Sequence, residues 1–406
     1  MSAAPSRASD VRGDAVRIAA KLREAGFEAL FAGGCVRDRL LGLEPREFDI
    51  ATNATPEQVR GVFPRAIGVG EAFGVMLLRR GSASFEIATF RADLEYRDGR
   101  HPEGVRFADA RADAMRRDFT INGLFEDPRD GRVLDFVGGE QDLRDRVLRA
   151  IGDPAARLSE DRLRALRGAR FAARFDLSID PATASAIESL RGDLGGVSRE
   201  RLGQELRRML GERHRARAAS LLESWGLDRC LLGDHQTAAT HPRLGGLPSD
   251  ADAMTALAAW RLDRGGIDDA VRDAADLQSA LGLSNVERDH LEGVFRGIDR
   301  INGWSNLSVA ARRRAGMDPA FDASLAVLRG VDPASVDRVD EELRRHGERQ
   351  PVPLVRGKEL LEAGFEPGPL LGRVLEAVYD AQLEGRVRTA EEALSLAGRL
   401  RERGGS

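Results

Sequence analysis

The stretch from residue 31 to residue 52, FAGGCVRDRLLGLEPREFDIAT, constrains the fold of this chain more than any other. It predicts a short strand, a tight turn at Gly33 and Gly34, a helix from Val36 to Leu41 that ends at Gly42, and a second strand. A glycine pair before a helix lets backbone N–H groups approach an anion with no Cβ atom in the way. The stretch therefore predicts a phosphate-binding turn.

Two acidic side chains follow in the second predicted strand. Because strand side chains alternate between faces, Glu47 and Asp49 should point to one face, and Phe48 and Ile50 to the other. The two acidic Cα atoms would lie roughly 6.5 to 7 Å apart, close enough for both carboxylates to bind one divalent cation. Arg37 would add a planar set of donors for phosphate oxygens. Together these features indicate metal-assisted phosphoryl or nucleotidyl transfer.

Length and composition leave room for several units and give no nucleic-acid signal of their own. The chain has 406 residues, of which 32% are charged and 5% aromatic, as in soluble helix-rich proteins. The net charge of −4 predicts no overall basic field, although a local basic stripe can still bind RNA. Cys35 and Cys230 have neither metal-binding nor redox spacing. With no long apolar run, the sequence predicts a cytoplasmic protein without a membrane partner.

The ordered string GGxVRDxLLG, followed by an acid-x-Asp-x-x-Thr pattern, resembles the head motif of the class II CCA-adding enzyme and bacterial poly(A) polymerase family. That family belongs to the polymerase beta-like nucleotidyltransferases. The resemblance implies an α/β head with a small mixed sheet, followed by an all-α neck, body and tail. It also implies Mg²⁺, or alternatively Mn²⁺, bound by Glu47 and Asp49. The family usually has Asp-x-Asp here, so the longer Glu47 predicts a shifted metal position, in a site that we expect to work.

A third carboxylate and a second motif extend this resemblance. Glu86 alternates against Phe85 and Ile87 in a later predicted strand, and is either the family's third catalytic carboxylate or a solvent-facing glutamate. The segment RRDFTINGL at residues 116–124 resembles the family's RRDFTINAL. The likeness implies that Arg117 clamps the triphosphate or ribose, and that Asp118 and Asn122 hold the loop and sugar. Asp118 alternatively only caps the helix that follows.

The third match is SEDRLRALRGARFAARF, which resembles the family's EDxxRxxRxxRF. Ser159 is predicted to cap one continuous helix that carries Asp161, Arg164, Arg167 and Arg170 along one side. An acid and an arginine together would pair with cytosine or adenine, each of which presents an amino group beside an unprotonated ring nitrogen. They would reject uracil and guanine, which present a carbonyl beside a protonated nitrogen.

Two further arginine roles stay open, and a later motif is read as support. Arg167 and Arg170 either complete the nucleotide contact or pair with acids of the neck. The segment SRERLGQELRRML resembles another neck motif of the family, which implies that Arg201 and Glu205 brace the base-reading helix.

The sequence thus predicts three parts: a nucleotidyltransferase head over residues 1–140, a helical neck over 141–213, and a helical body and tail over 214–406 that bind tRNA. The predicted reaction is template-independent addition of C and A to the 3′ end of tRNA, from CTP and ATP, with no role for DNA. Alternatives within the class are a poly(A) polymerase, or an enzyme that adds only CC or only A. Outside it, the chain would be an RNA-binding module impaired by Glu47. Transfer to a small molecule would leave the Asp161 to Arg170 stripe without a role.

Overall fold

The computed structural model describes residues 10–70, 74–93, 105–233, 236, 238–266, 270–345 and 350–404. The chain forms two compact units. The first comprises Met1–Glu205 and Arg217–Leu231, and the second comprises Leu206–Ala216 and Leu232–Ser406.

A seven-stranded mixed sheet forms the centre of the first unit. The strands of this unit are β1 Ala29–Ala32, β2 Asp49–Thr52, β3 Ile67–Gly70, β4 Val75–Arg80, β5 Ala83–Thr89, β6 Arg91–Asp93, β7 Val105–Phe107, β8 Leu124–Glu126, β9 Val133–Asp135, β10 Val147–Leu148 and β11 Ser178–Ile179. The sheet order is β3-β4-β5-β2-β1-β8-β9. Strands β2 and β5 are parallel, whereas the other neighbours are antiparallel. Two further pairs, β6-β7 and β10-β11, lie outside this sheet.

Helices cover the sheet and continue beyond it. They are α1 Val11–Glu24, α2 Gly34–Leu40, α3 Pro56–Val62, α4 Ala110–Met115, a 3-10 turn Thr120–Asn122, α5 Gly139–Arg144, α6 Pro154–Glu160, α7 Leu163–Phe175, α8 Pro181–Ser189 and α9 Arg199–Leu210. The main core joins Ile18 of α1, Phe31, Ile50 and Ile87 of the sheet, and Phe171 of α7. Burial of this apolar surface is what holds α1 and α7 to the sheet.

In the rest of the chain, the regular elements that the structure describes are helices joined by loops. Its elements are α10 Arg215–Ser224, α11 Asp228–Leu232, α12 Pro242–Gly246, α13 Ala253–Asp263, α14 Ala270–Leu281, α15 Asn285–Asn302, a 3-10 turn Trp304–Asn306, α16 Val309–Gly316, α17 Phe321–Arg329, α18 Pro333–Arg345, α19 Gly357–Glu362, α20 Pro369–Leu383 and α21 Ala390–Gly404. Within the described ranges, none of the helices combines the length and apolarity needed to cross a membrane.

The predicted fold class, a mixed-sheet α/β head followed by helices, is confirmed. Two local predictions are wrong. Helix α2 begins at Gly34 rather than Val36, because Gly33 takes the capping position with a φ of 66°. Glu47 precedes β2, which begins at Asp49.

Candidate active site

The acidic pair lies where the chain enters β2. Phe48 and Ile50 are buried in the main core, whereas Glu47 is exposed and Asp49 is half-buried. The alternation predicted from the period of a strand is therefore present, although Glu47 itself lies just outside the strand.

Glu86 lies beside this pair. Ile50 of β2 pairs with Ile87 of β5 in parallel register, so the preceding residues, Asp49 and Glu86, are neighbours on the opposite face. Burial first, and then the charges of Glu86 and Glu47, raise the pKa of Asp49 from 3.8 to about 6, while Arg117 opposes the rise. The structure thus brings the three predicted carboxylates together at one edge.

Their charges suit a divalent cation. Mutual repulsion at Asp49 is what a bound cation would relieve. Among the residues that the structure describes, no group of three or more His, Cys, Asp or Glu side chains could hold a metal as it stands. Mg²⁺ in nucleotide sites commonly needs only one or two carboxylates, with substrate phosphates and water as the other ligands. Asp49 with Glu47 fits that requirement.

The glycine turn lies against Arg117. A Cβ atom on Gly33 would come within 2.7 Å of Arg117 Nη1, so only glycine allows this approach. Arg117 donates to the backbone carbonyl of Asn122 at 3.0 Å and to Asp113 Oδ2 at 2.9 Å. The charge of Arg117 also opposes the rise in the pKa of Asp49, so the guanidinium beside the turn acts on that carboxylate as well. An anion bound at the turn would thus be close to both the guanidinium of Arg117 and the carboxylate of Asp49.

Arg37 is placed differently from its predicted role at the triphosphate. Its side chain is only 6% exposed. Nε and Nη2 donate to Asp38 Oδ1 at 2.9 and 2.6 Å, and Nη1 donates to Asn122 Oδ1 at 2.5 Å. The guanidinium also lies over the rings of Phe171 and Phe175. In this structure its donors serve the protein rather than an open pocket.

Asp118 and Asn122 form one buried network with α7. Asn122 Nδ2 donates to Asp118 Oδ1 at 2.9 Å, and Arg167 Nε donates to Asp118 Oδ2 at 2.7 Å. Asp118 also accepts from the backbone N–H of Phe119, within its own turn. Asp118 does not cap α5 or any later helix, so the capping alternative is wrong.

The predicted base-reading helix is interrupted. Helix α6 ends at Glu160, and Asp161 is extended, with φ −156° and ψ 101°, before α7 begins at Leu163. Ser159 lies inside the last turn of α6, where its hydroxyl donates to the carbonyl of Ala156, so the prediction that it starts the helix is wrong. Asp161 instead precedes α7 and accepts from the N–H of Leu163 at 3.2 Å.

Both predicted base readers have protein partners. Asp161 accepts from Arg201 at 2.6 and 3.2 Å. Arg164 donates to Glu160 Oε2 at 2.6 Å and to the carbonyl of Arg116 at 3.2 Å. These groups lie around the α6–α7 break.

Arg170 pairs with Glu205 at 2.5 Å, inside the unit. This is the second of the two alternatives that the sequence left open for it, whereas Arg167 pairs with Asp118, an acid of the predicted head and not of the neck. The sequence analysis missed Asp38, Asp113 and Glu160 as partners of these arginines. The four-residue spacing of Asp113 to Arg117 and of Glu160 to Arg164 was the available signal for two of them.

Comparisons with known proteins identify the family to which the chain is similar. Residues 29–149 match the family described as "Poly A polymerase head domain", and residues 176–235 match "Probable RNA and SrmB- binding site of polymerase A". The CCA-adding enzyme of Limosilactobacillus fermentum is 31% identical over an alignment 404 residues long, which covers 94% of this chain and 96% of the relative. That of Geobacillus stearothermophilus is 31% identical over an alignment 402 residues long, which covers 94% of this chain and 95% of the relative.

Solved structures are similar over the same length. The crystal structure of the Bacillus stearothermophilus CCA-adding enzyme in complex with CTP matches with a TM-score of 0.79 and 26% identity, and the match covers 98% of this chain and 99% of that one. The Thermotoga maritima CCA-adding enzyme complexed with tRNA_CCA matches with a TM-score of 0.68 at 19% identity, over 95% and 94% of the two chains, and bears on the fold alone.

Proposed function

Because the chain belongs to the family of CCA-adding enzymes, we propose that it adds C and A nucleotides to the 3′ end of tRNA from CTP and ATP, releasing pyrophosphate. The main observation behind the proposal is that the Gly33 turn, Arg117 and Asp49 lie close together where β1 ends and β2 begins. The chain is also similar to CCA-adding enzymes over nearly its whole length. We place this activity in the cytoplasm.

Asp49 and Glu47 would hold a divalent cation, Mg²⁺ or alternatively Mn²⁺, with Glu86 beside them. When bound, the cation lowers the pKa of the terminal tRNA hydroxyl and neutralises charge that develops at the α-phosphate. Gly34 would leave its backbone N–H group open to phosphate oxygens. The N–H of Gly33 already donates to the carbonyl of Leu124 at 2.9 Å, so Gly33 would serve the phosphate through the space that its missing Cβ atom leaves.

Arg117 would bind the triphosphate beside that turn. Its guanidinium is held by Asp113 at 2.9 Å and by the carbonyl of Asn122 at 3.0 Å, so the side chain is oriented before a nucleotide arrives. Pre-oriented donors lose little freedom on binding and position the α-phosphate for in-line attack.

Asp161 and Arg164 would read the base. The carboxylate accepts from the exocyclic amine of cytosine or adenine, and the guanidinium donates to the neighbouring ring nitrogen. Uracil and guanine would set acceptor against acceptor and donor against donor, and a mismatch that leaves buried polar groups unpaired is strongly disfavoured. Arg201 would give up one of its two hydrogen bonds to Asp161 and keep the other, which would hold the carboxylate in place.

We assign tRNA binding to the helical part from about residue 214 onwards, and the base-reading neck to residues 141–213. The match of residues 176–235 to an RNA-binding family description spans both sides of this boundary and supports RNA binding around it.

The test is a product ladder. Purified protein is incubated with tRNA transcripts that lack CCA, CC-ended or CCA-ended transcripts, single nucleotides and mixtures. We expect CC from CTP alone, A from ATP only on CC-ended tRNA, and termination after CCA. Long A tracts would indicate a poly(A) polymerase, and arrest after CC, or growth only of CC-ended tRNA, would indicate a partial enzyme.

Two variants distinguish an active nucleotidyltransferase from the alternative of an RNA-binding module that is impaired by Glu47. Asp49→Asn should abolish incorporation of both nucleotides, because it removes the buried carboxylate. Glu47→Asp should change the rate only modestly. A large gain from near-zero activity in Glu47→Asp would support the impaired RNA-binding module instead.

A further inference from the structure

Arg37 lies inside a buried cluster that joins three separated parts of the first unit. Its residue exposure is 5%, and all three of its nitrogen atoms donate within the protein, to Asp38 or Asn122. Binding a phosphate would require Arg37 to leave both acceptors, and the carboxylate of Asp38 would lose a partner at 2.6 Å. A side chain in this position is poorly suited to substrate contact.

The flat face of the same guanidinium packs on α7. Its central carbon lies 4.3 Å from the ring centroid of Phe175 and 5.1 Å from that of Phe171. These two rings are stacked, with an interplanar angle of 16° and a centroid distance of 6.1 Å. A guanidinium held over aromatic faces in a dry environment gains both electrostatic and dispersion energy.

A second contact ties the same two elements. Asp38 Oδ2 lies 3.6 Å from a guanidinium nitrogen of Arg174, the last residue but one of α7. Asp38 and Arg37 belong to α2, which starts directly at the Gly33 turn. The turn, the Asn122 segment and α7 are therefore connected through one side chain and its neighbour.

We infer that Arg37 is a positioning residue, which sets the place of the base-reading end of α7 relative to the phosphate-binding turn, and does not itself bind the triphosphate. This inference rests on the proposed function. Arg37 would matter for base choice because the phosphates and the base of one nucleotide are a fixed distance apart. The base edge meets Asp161 and Arg164 correctly only if α7 is held in one position against the turn.

The length of α7 increases the effect of the contacts that Arg37 makes with Phe171 and Phe175. Eleven residues separate Arg164 from Phe175, which corresponds to about 16 Å of helix. If α7 tilts because the contact at Phe175 is loosened, Arg164 at the other end of the helix is displaced, and the displacement grows with this distance. Loosening the contacts of Arg37 with Phe171 and Phe175 should therefore reduce discrimination between bases before it weakens phosphate binding.

The test compares Arg37→Lys with Arg117→Lys. Lysine keeps the positive charge, so it would preserve a phosphate contact in part, but it cannot stack as a plane or bond Asp38 and Asn122 together. For Arg37→Lys we expect the preference for CTP over UTP, measured as kcat/KM ratios, to fall about tenfold or more. The inhibition constant of pyrophosphate, which reports the phosphate turn alone, should stay within about twofold. For Arg117→Lys that constant should rise about tenfold with base preference retained.

Phe175→Leu keeps the test decisive if Arg37→Lys folds poorly. Phe175 cannot contact a phosphate, and leucine keeps most of the apolar volume but offers no ring. The same loss of base preference is expected, and the double variant should be no worse than the stronger single one. Arg401→Lys is the matched control, because it removes a guanidinium stacked 5.0 Å from the ring of Phe365 in the second unit, and it should leave base preference unchanged.

The outcomes separate this inference from the proposed function. Wild-type protein that extends no tRNA with C or A contradicts the proposed function. Active wild-type protein whose Arg37→Lys variant binds pyrophosphate about tenfold more weakly, with base preference intact, overturns the inference alone. Unchanged base preference in Phe175→Leu also overturns it, whatever the effect on the melting temperature.

Discussion

Replacing Asp118 by asparagine should destabilise the first unit by about 3 kcal/mol. Asp118 is 7% exposed and accepts from the N–H of Phe119 at 2.8 Å, from Asn122 at 2.9 Å and from Arg167 at 2.7 Å. Asparagine keeps the size of the side chain, but it removes the charge and turns one acceptor into a donor that faces Arg167. The guanidinium is then left without its buried counter-charge.

The lowered pKa of Asp118 gives a second, independent measure of how much this carboxylate stabilises the first unit. Burial alone would raise this pKa, but the charge of Arg167 and the three hydrogen bonds lower it from 3.8 to about 2. By linkage, the difference corresponds to about 2 kcal/mol at neutral pH. Because the folded value is the lower one, this stability is present well above pH 3.8 and is lost as the pH falls toward 2. About 1 kcal/mol should already be lost between pH 6 and pH 3.

Urea unfolding of a variant pair measures this effect. Trp225 belongs to the first unit, so a background with Trp260 and Trp304 replaced by phenylalanine gives a fluorescence signal for that unit alone. The penalty of Asp118→Asn should be largest at pH 6 and smaller by about 1 kcal/mol at pH 3, since other groups cancel in the difference. Glu140→Gln, which breaks a 3.7 Å surface pair, should cost under about 0.5 kcal/mol. An Asp118→Asn penalty that small, or one independent of pH, would refute the reasoning.

Three other variants give independent checks. Gly33→Ala adds a methyl group at a φ of 66° and 2.7 Å from Arg117, so the KM for CTP in steady-state kinetics should rise about tenfold. A hydrogen bond to Asp252 raises the pKa of His290, so this stability is complete below pH 6.5 and is lost as the pH rises through the folded value; His290→Gln should therefore cost more in urea unfolding at pH 5.5 than at pH 8.5. Ser284→Ala removes an N-cap of α15 and should cost about 1 kcal/mol, measured by urea unfolding followed by circular dichroism.

Features set by neighbours in sequence were predictable. The burial of Phe48 and Ile50, with Glu47 and Asp49 on the other side, follows from the period of a strand, and the tight turn follows from the conformational freedom of Gly33. The mixed sheet followed from alternating patterns and from the resemblance together. In each case the information lies within a few residues of the feature it specifies.

Features set by distant partners were not predictable from local pattern, and the support of the base-reading segment by Arg201 and Glu205 was expected only from the family resemblance. The pattern of arginines every third residue suggested one helix through Asp161, but this residue is extended and bonded to Arg201, forty residues later. Likewise, the motif that contains Arg37 carries no sign of Phe175, which lies at the far end of another helix. Periodicity shows that a helix has an apolar face, but not which charged side chain packs on it.

Charge pairing explains why the site should depend on a cation. Each of four arginines near the turn and α7 already has a carboxylate partner within the first unit. These pairs are Arg37 with Asp38, Arg117 with Asp113, Arg167 with Asp118, and Arg170 with Glu205. A triphosphate at the turn would therefore meet Arg117, whose charge is largely balanced by Asp113, together with the repelling carboxylate of Asp49. Because the protein orients donors without supplying much net positive charge, a divalent cation would have to neutralise both the acidic edge and the phosphates.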